Sequence, residues 1–421
     1  MAVIGAGASG TLTARHLLDR GAVVWLVDPA AETGRGVAYR TQDRRHRLNV
    51  CAGRMNALPD DPGHFQRWAR RRHARAAASD YLPRADYGAY PGRHPRGGGG
   101  PPRGGGATPG ATGLASVAGR WRVTLAGQSR LDVDAVVLAV GNFAPACAWA
   151  PPELRASGRF VADPWGAGAL GRIRRGQPVL LVGTALTMAD VALTLASRAT
   201  ASLVAVSRHG LLPSVHAPEL PAPAEPPELP TGRLRLDEAR GAFARQAARL
   251  GSTQAAVDSM RPVTPDVWQR LFIRDRHEFL RRYARRWDVL RHRMAPEVGA
   301  ELDRLRDTGR LMLRAGGLDA RWQGFGAVVN CTGPRTDLRN VGDPLLDRLF
   351  AAGLARPDAL ALGLDTNVAG VVVDAAGVRN RGLWAVGPPR RGGLWESTAI
   401  PEIRVQAAEV AQSLMDQRPT W

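Results

Sequence analysis

Short apolar runs that stop at glycine recur along this chain, and helical spacing fills the intervals between them. Ala2-Val3-Ile4 breaks at Gly5-Ala6-Gly7-Ala8-Ser9-Gly10, after which Leu12, Leu17 and Leu18 predict a helix over 11–20. Gly21 closes that helix, and Ala22-Val23-Val24-Trp25-Leu26-Val27 predicts a second buried strand ending on Asp28. The same rhythm returns about 170 residues later. There Pro178-Val179-Leu180-Leu181-Val182 runs into Gly183-Thr184-Ala185-Leu186-Thr187-Met188, followed by a predicted helix over 189–199 and a strand over 201–206 ending at Ser207-Arg208-His209. Three further runs, 134–141, 326–333 and 382–387, have the same shape, and 121–125 with 131–133 predicts a hairpin. Strands without alternation, joined by helices, imply a parallel sheet covered on both faces, hence an α/β fold.

The glycines of the first unit stand where a dinucleotide requires them. Gly5 suits the tight turn, Gly7 lets backbone amides approach a pyrophosphate, and Gly10 lets helix and strand pack closely; Ser9 lies in the same loop. The helix start supplies partial positive charge. Asp28, 18 residues after Gly10, is placed to accept from ribose hydroxyls and disfavours a 2′-phosphate there. In the second unit Gly183 is retained, but Ala185 and Met188 stand where the other glycines would be, so the loop is bulkier. Thr184, Ser207 and Arg208 are its candidate ligands. Arg208, at the strand end where the first unit has an acid, fits a 2′-phosphate and so favours NADPH over NADH. The plainer reading is a degenerate half that only packs.

Runs 134–141 and 326–333 frame this second unit and predict where the chain leaves one sheet and re-enters it. The expected organisation is therefore a first domain over 1–165, completed by 321–421, and interrupted by a smaller one over 170–320 with a helical region over 235–310. A proline-rich linker spans 213–230, and a helix is expected over 236–250. From Thr264-Pro265-Asp266, the residues Trp268, Leu271, Phe272, Phe279, Leu280, Tyr283, Trp287 and Leu290 repeat as in one long amphipathic helix with a basic face. Residues 91–113 are almost entirely Gly, Pro, Arg, Ala and Thr; they predict a flexible segment that buries nothing, arising either as a natural linker or from a local frame error in GC-rich DNA.

Composition narrows the chemistry. The 421 residues, 44% hydrophobic, suffice for two or three domains. All 57 basic residues are arginine, against 38 acids, for a net charge of +19. Without lysine there is no Walker-type phosphate lysine, no Schiff base and no lysine general base. The charge by itself suggests polyanions. Coding bias explains it as well, and aromatics at 6% make a poor nucleic-acid platform, so no nucleic-acid partner is expected. Cys51, Cys147 and Cys331 form no CxxC pair, which removes dithiol reductase chemistry; the nine histidines show no metal-ligand spacing, so no metal is expected. No long apolar span or leader is evident, and the expected location is cytoplasmic without a membrane partner. No general acid or base is evident.

The element order resembles the flavoproteins with two dinucleotide-binding domains, among them flavin-containing and N-hydroxylating monooxygenases. More narrowly, Gly34-Arg35-Gly36-Val37-Ala38-Tyr39, Leu48-Asn49-Val50 with Met55, Pro59-Asp60-Asp61-Pro62, Trp287-Asp288 with Arg291-His292-Arg293-Met294, Asn330-Cys331-Thr332-Gly333-Pro334, and Trp395-Glu396 through Pro401-Glu402-Ile403-Arg404 resemble a family of FAD/NAD(P)-binding proteins. This resemblance covers nearly the whole chain. It implies a Rossmann-like FAD domain interrupted by a smaller NAD(P)-binding domain, with Asn49 and Met55 lining the flavin and a helix starting near Thr398 pointing its N-terminus at the flavin's pyrimidine end. Trp395 and Glu396 either sit beside that ring or serve as a packed indole and a capping acid. The implied activity is NADPH reduction of FAD followed by oxygenation of a nitrogen or sulfur of a small-molecule substrate. A flavin oxidase or dehydrogenase without a working nicotinamide site, and a non-catalytic nucleotide-binding protein, are the alternatives. One departure stands out. Pro388 follows Gly387 where such proteins usually carry an aspartate, leaving only the Gly387 backbone for the cofactor. The oligomeric state is not legible.

Overall fold

The computed structural model describes residues 1–30, 32–90, 109–198, 202–217, 223–318 and 320–417. Its strands, in chain order, are β1 (Ala2–Ile4), β2 (Trp25–Val27), β3 (Ala111–Val117), β4 (Arg120–Leu125), β5 (Arg130–Val133), β6 (Val136–Leu138), β7 (Phe160–Val161), β8 (Val179–Val182), β9 (Leu203–Ser207), β10 (Leu311–Ala315), β11 (Ala327–Asn330), β12 (Val371–Val373) and β13 (Arg379–Ala385). They form two five-stranded sheets, ordered β12-β13-β6-β1-β2 and β10-β9-β8-β11-β7, and a three-stranded sheet β3-β4-β5. Every pairing in the second sheet is parallel. In the first, only the edge strand β12 runs antiparallel.

The α/β expectation holds, and the two units prove to be built alike. Gly5 donates to the Val27 carbonyl and Gly183 to the Val206 carbonyl, each at 2.8 Å. Ala139 donates to Ile4 and Cys331 to Val182, again at 2.8 Å. In each sheet the glycine-bearing strand is thus flanked by the strand that follows its own helix and by one that arrives from far along the chain. The apolar runs form the cores on either face, with Val3, Val137 and Trp384 on one side of the first sheet and Ile4, Val136 and Leu383 on the other.

Three expectations are corrected. The run ending at Gly333, expected to re-enter the first sheet, is β11 and pairs with β8 in the second; Phe160 and Val161, expected in the first domain, pair with β11 there too. An apolar strand identifies a sheet interior but not which sheet. The single long helix expected beyond Thr264 is three helices, Thr264–Arg270, Ile273–Arg282 and Ala284–Arg291. The first break, at Leu271 and Phe272, has extended backbone because Leu234 bridges to Leu271 and donates to the Arg270 carbonyl. Lastly, part of the stretch expected to be flexible is a strand. Ala111, Thr112 and Gly113 begin β3, and Gly113 is buried. The rest of that stretch, 91–108, lies outside the described residues, as do 199–201 and 218–222.

A contact between the two units fixes their junction. His46 is buried, with Nε2 2.8 Å from Thr194 Oγ1 and 3.1 Å from the Asp190 carbonyl on the helix Leu186–Ala196. Thr194 donates to Asp43 at 2.7 Å, and Arg84 lies 2.8 Å from the buried Asp190 carboxylate.

Candidate functional site

The first glycine loop turns at the carboxyl end of β1. Gly5 has φ +100°, and a Cβ there would lie 2.3 Å from the Ala139 carbonyl oxygen. A Cβ on Gly10 would lie 1.8 Å from the Gly5 oxygen. Only hydrogen fits at either position. Gly7 precedes the helix Ala8–Asp19, whose start has no side-chain cap and no acid in its first turn. Its first N–H groups are therefore free for an anion, and the helix dipole favours one. Gly7 faces Gly36, leaving both backbones bare where they meet. Asp28 closes the loop from β2, accepting from Ala6 N at 2.6 Å and Ala30 N at 2.7 Å while remaining half-buried. Ser9 is buried, and a Cβ on Gly387 (φ +78°) would lie 2.3 Å from its Oγ, so a glycine is required opposite the serine. Both polar groups of Gly387 are occupied, its N–H by Gln406 Oε1 at 3.0 Å and its carbonyl by Arg390 N at 3.0 Å. What it contributes to the site is its small size.

The second loop repeats this at the end of β8. Gly183 has φ +111°, and a Cβ would lie 2.3 Å from the Cys331 oxygen. The helix Leu186–Ala196 likewise starts with no side-chain cap and no acid. Thr184 and Ser207 behave differently from the expected ligands. Their hydroxyls meet at 2.8 Å, Thr184 donates to the Leu211 carbonyl at 2.6 Å, and Gly210 N donates to Ser207. They brace the bulkier loop instead of facing outward. Arg285, from the helical insertion, joins the brace by donating to Thr184 and to the Leu211 carbonyl. Arg208 is exposed at the end of β9, and among the described residues it makes no hydrogen bond or ion pair.

Beyond β6, β11 and β13 lies a narrow cavity of about 110 Å³, walled by Gly141, Asn142, Pro334, Pro388, Arg391 and Thr398 among others. These residues follow β6, β11 and β13, so it opens at the carboxyl ends of strands from both sheets, where α/β folds bind ligands. A larger cavity of about 800 Å³, walled by Arg159, Asp163, Gln177 and Gln323, opens at the opposite ends of β8 and β11 and is not in that position. Asn49 is half-buried, and its carbonyl oxygen is 3.0 Å from His216 Nε2. Met55 is 2% exposed and packs with Leu12, Leu48 and Ile403 in the core. The helix Ile400–Asp416 starts directly after Thr398 of the cavity wall, at Ala399, without a side-chain cap.

The segment after the cavity is strained and heavily braced. Trp395 holds φ +59°, a conformation that costs an ordinary residue about 1–3 kcal/mol. It is kept there by stacking on Trp268 (centroids 5.0 Å), by Phe279 edge-on at 5.2 Å and by Arg391 over its outer face at 4.6 Å. Of the two roles open for Trp395 and Glu396, packing describes the indole. Glu396 caps no helix: it is 2.7 Å from the buried Arg291 and accepts from Trp287 Nε1 at 3.2 Å. Glu402 binds Arg291 at 3.0 Å and Arg261 at 2.8 Å. Burial acts against the Arg291 charge, but the two carboxylates outweigh it and raise the affinity of Arg291 for its proton.

Asp288 is the acid in this cluster that lacks such a partner. Its carboxylate accepts no hydrogen bond from any described residue, and its Oδ1 is fully buried. His292 Nε2 lies 3.6 Å from that atom. Burial pushes the Asp288 carboxyl up to about 6, against the pull of Arg391 and Arg285. Desolvation, with Arg291 and Arg391, holds His292 below its ordinary value and neutral. Sequence reading noted Trp287-Asp288 and Arg291-His292 as a motif but assigned them no role. It missed Arg285, Arg391 and Gln406, which enter the site only through contacts between distant segments.

Residues 2–94 match the FAD-NAD(P)-binding family profile. The chain has the FAD/NAD(P)-binding flavoprotein fold. This fold is shared over its whole length with L-lysine 6-monooxygenase of Pseudomonas syringae (16% identity, 99% of this chain and 98% of that one, TM-score 0.65). It is shared as well with the Kutzneria ornithine N-hydroxylase, solved with reduced FAD, NADP⁺ and L-ornithine (14%, 99% and 99%, 0.61). A flavin monooxygenase from Stenotrophomonas maltophilia is a third such structure (17%, 99% and 97%, 0.55). A sequence search among curated proteins returns no match. No described helix is long and apolar enough to cross a membrane.

Proposed function

We propose that this flavoprotein is an NADPH-dependent FAD oxidoreductase that oxygenates a nucleophilic nitrogen or sulfur of a small molecule. The observation that carries this reading is the pair of uncapped glycine loops at the carboxyl ends of β1 and β8, one in each of two sheets whose strands β6, β13 and β11 end at a common cavity. Two electron-carrying dinucleotides need two such cradles, whereas an oxidase fed directly by its substrate needs one.

The residues present fit the groups. The bare backbones of Gly5, Gly7 and Gly10 with the start of the helix Ala8–Asp19 would hold the FAD diphosphate, and Asp28 has lone pairs left for ribose hydroxyls. Asn49, Pro388 and Thr398 would border the flavin ring, with the start of the helix Ile400–Asp416 directed at one edge. At the second loop Gly183 and the start of the helix Leu186–Ala196 would take the NADPH diphosphate, and the unpaired Arg208 its 2′-phosphate. Flavin, when bound, supplies hydride acceptance and oxygen activation. The protein's part is to align the two ligands and to set the charge around them. The monooxygenase assignment draws support from the shared fold with the lysine and ornithine hydroxylases and from the absence of a CxxC pair.

Purification with an absorbance scan and mass spectrometry of the released cofactor tests the first step, with FAD expected. Anaerobic mixing with NADPH is then expected to bleach the flavin, and air to restore it, with oxygen uptake rising when the right amine or thioether is present. Absence of bleaching would leave an oxidase or dehydrogenase; a colourless protein that takes up no FAD would leave a non-catalytic one.

A further inference from the structure

We propose that the molecule carries a second ligand site, behind the wall of the cavity described above, for a small amphiphilic anion: a carboxylate or phosphate head on a short apolar body. A pocket of about 410 Å³ lies between the helical insertion and the last third of the chain, walled by Arg233, Ile273, Arg276, Val368, Arg379 and Leu394 among others. That volume is in the range that small-molecule sites occupy. The short helix Arg391–Leu394 separates the two spaces, since Arg391 walls the first cavity while Gly392, Gly393 and Leu394 wall this pocket. None of the residues assigned to FAD or NADPH lines it, so its occupancy does not depend on the flavin reading.

The wall gathers cations whose charge is left unmatched. Arg233 and Arg276 both donate to the Gln269 carbonyl, at 3.3 and 2.8 Å, which sets two like charges side by side. Arg276 is further held over Trp268, 5.5 Å from the ring centroid, and its Nε is buried without an acceptor. Trp268 is itself fixed by donating to the Gly392 carbonyl at 2.7 Å. Arg379, from β13, makes no hydrogen bond or ion pair among the described residues. The two acids of the wall are engaged elsewhere. Asp358 accepts from Leu360 N at 2.8 Å and from Leu362 N, and Asp365 is paired with Arg356, outside the pocket, at 2.7 Å. Burial and Arg233 weaken the hold of Arg276 on its proton, and Asp358 offsets only part of that. Guanidinium forks grip carboxylate or phosphate oxygens in pairs, so an anion is the occupant that this wall favours. The rest of the wall is apolar and open to water: Val368 is 72% and Ile273 48% exposed, with Leu360 and Leu394 in the same lining. Exposed aliphatic side chains grouped at a pocket mark a binding surface. An inorganic anion would leave that surface wet, and a neutral apolar molecule would leave the guanidiniums unmatched, so the ligand carries both parts.

Calorimetric titration of the full-length protein with octanoate and with octyl phosphate tests this, and the two affinities separate a carboxylate head from a phosphate one. Saturable binding of at least one of them, one per chain, is expected, while acetate, inorganic phosphate and octanol should each bind about tenfold more weakly or worse. Arg379→Glu and Val368→Asp alter exposed side chains, so the fold should survive; each should weaken the octyl anion about tenfold or more. Arg174→Glu, an equal charge change at an exposed arginine of the 800 Å³ cavity, should leave the affinity unchanged. Saturating FAD and NADP⁺ should not displace the bound anion. Failure of both octyl anions to bind, binding of phosphate or octanol as tight as theirs, indifference to Arg379→Glu, an equal loss in Arg174→Glu, or displacement by the dinucleotides overturns the proposal.

Discussion

At the scale of single residues, the site is made by groups that a one-atom change would disturb. Gly10→Ala would drive a methyl to 1.8 Å from the Gly5 oxygen. The expected outcome is a loss of about 3 kcal/mol in chemical denaturation, together with loss of bound FAD, because neither backbone segment can retreat. Arg208→Ala should act differently, leaving the fold intact. Removing an exposed, unpaired guanidinium should raise KM for NADPH on the order of tenfold or more, about 1.4 kcal/mol, while KM for NADH stays put, as steady-state assays with both would show. Glu396→Gln leaves the buried Arg291 with Glu402 as its one remaining carboxylate partner; denaturation should register about 2 kcal/mol. The two kinds of glycine and arginine role were not equally legible. Gly5, Gly7 and Gly10 announce themselves because their spacing follows from a local turn. Whether an arginine pairs with an acid or waits for a ligand depends on what lies across the site, and in a chain with 57 of them only the fold separates Arg208 and Arg379 from the rest.

Among the elements, the helices Leu186–Ala196 and Ile400–Asp416 join cores as well as cradles. The first is seated against the segment bearing Asp43 and His46, so the two dinucleotide units are held in register by buried polar contacts. Burial opposes the Asp43 charge, yet hydrogen bonds from Arg45 and Thr194 outweigh it and hold the carboxyl down at about 2. A depressed acid contributes stability above its unfolded value of 3.8 that is lost as pH falls towards 2. Acid unfolding should therefore cost the wild type about 2 kcal/mol more than Asp43→Asn between pH 5 and pH 2. Element identity was largely readable: the helix Leu236–Leu250 lies where its spacing predicts, and the buried strands lie within about three residues of expectation. The long helix beyond Thr264 was not, because its breaks come from Leu234 bridging to Leu271 and from the turn at Tyr283, neither of which alters the hydrophobic period.

Over the whole molecule, the +19 charge becomes intelligible as a background from which a few cations are drawn into use. Many arginines are spent on carboxylates close in sequence, as with Arg45 and Asp43, Arg304 and Glu301, or Arg339 and Asp337. If the net charge served only such pairs and the cofactors, raising ionic strength should weaken NADPH binding through the exposed Arg208 more than FAD retention, which equilibrium dialysis in a salt series would reveal. By itself the sequence determined that two parallel-sheet units are present, where their glycine turns fall and which chemistries the missing lysines exclude. These follow from steric limits and periodicities acting over a few residues. Tertiary structure alone decided that the run before Gly333 joins the second sheet, that Thr184 and Ser207 brace their loop, and that the buried Oδ1 of Asp288 accepts no hydrogen bond from a described residue. Those outcomes depend on which distant segments meet and on how much water their meeting expels, and no local pattern encodes either.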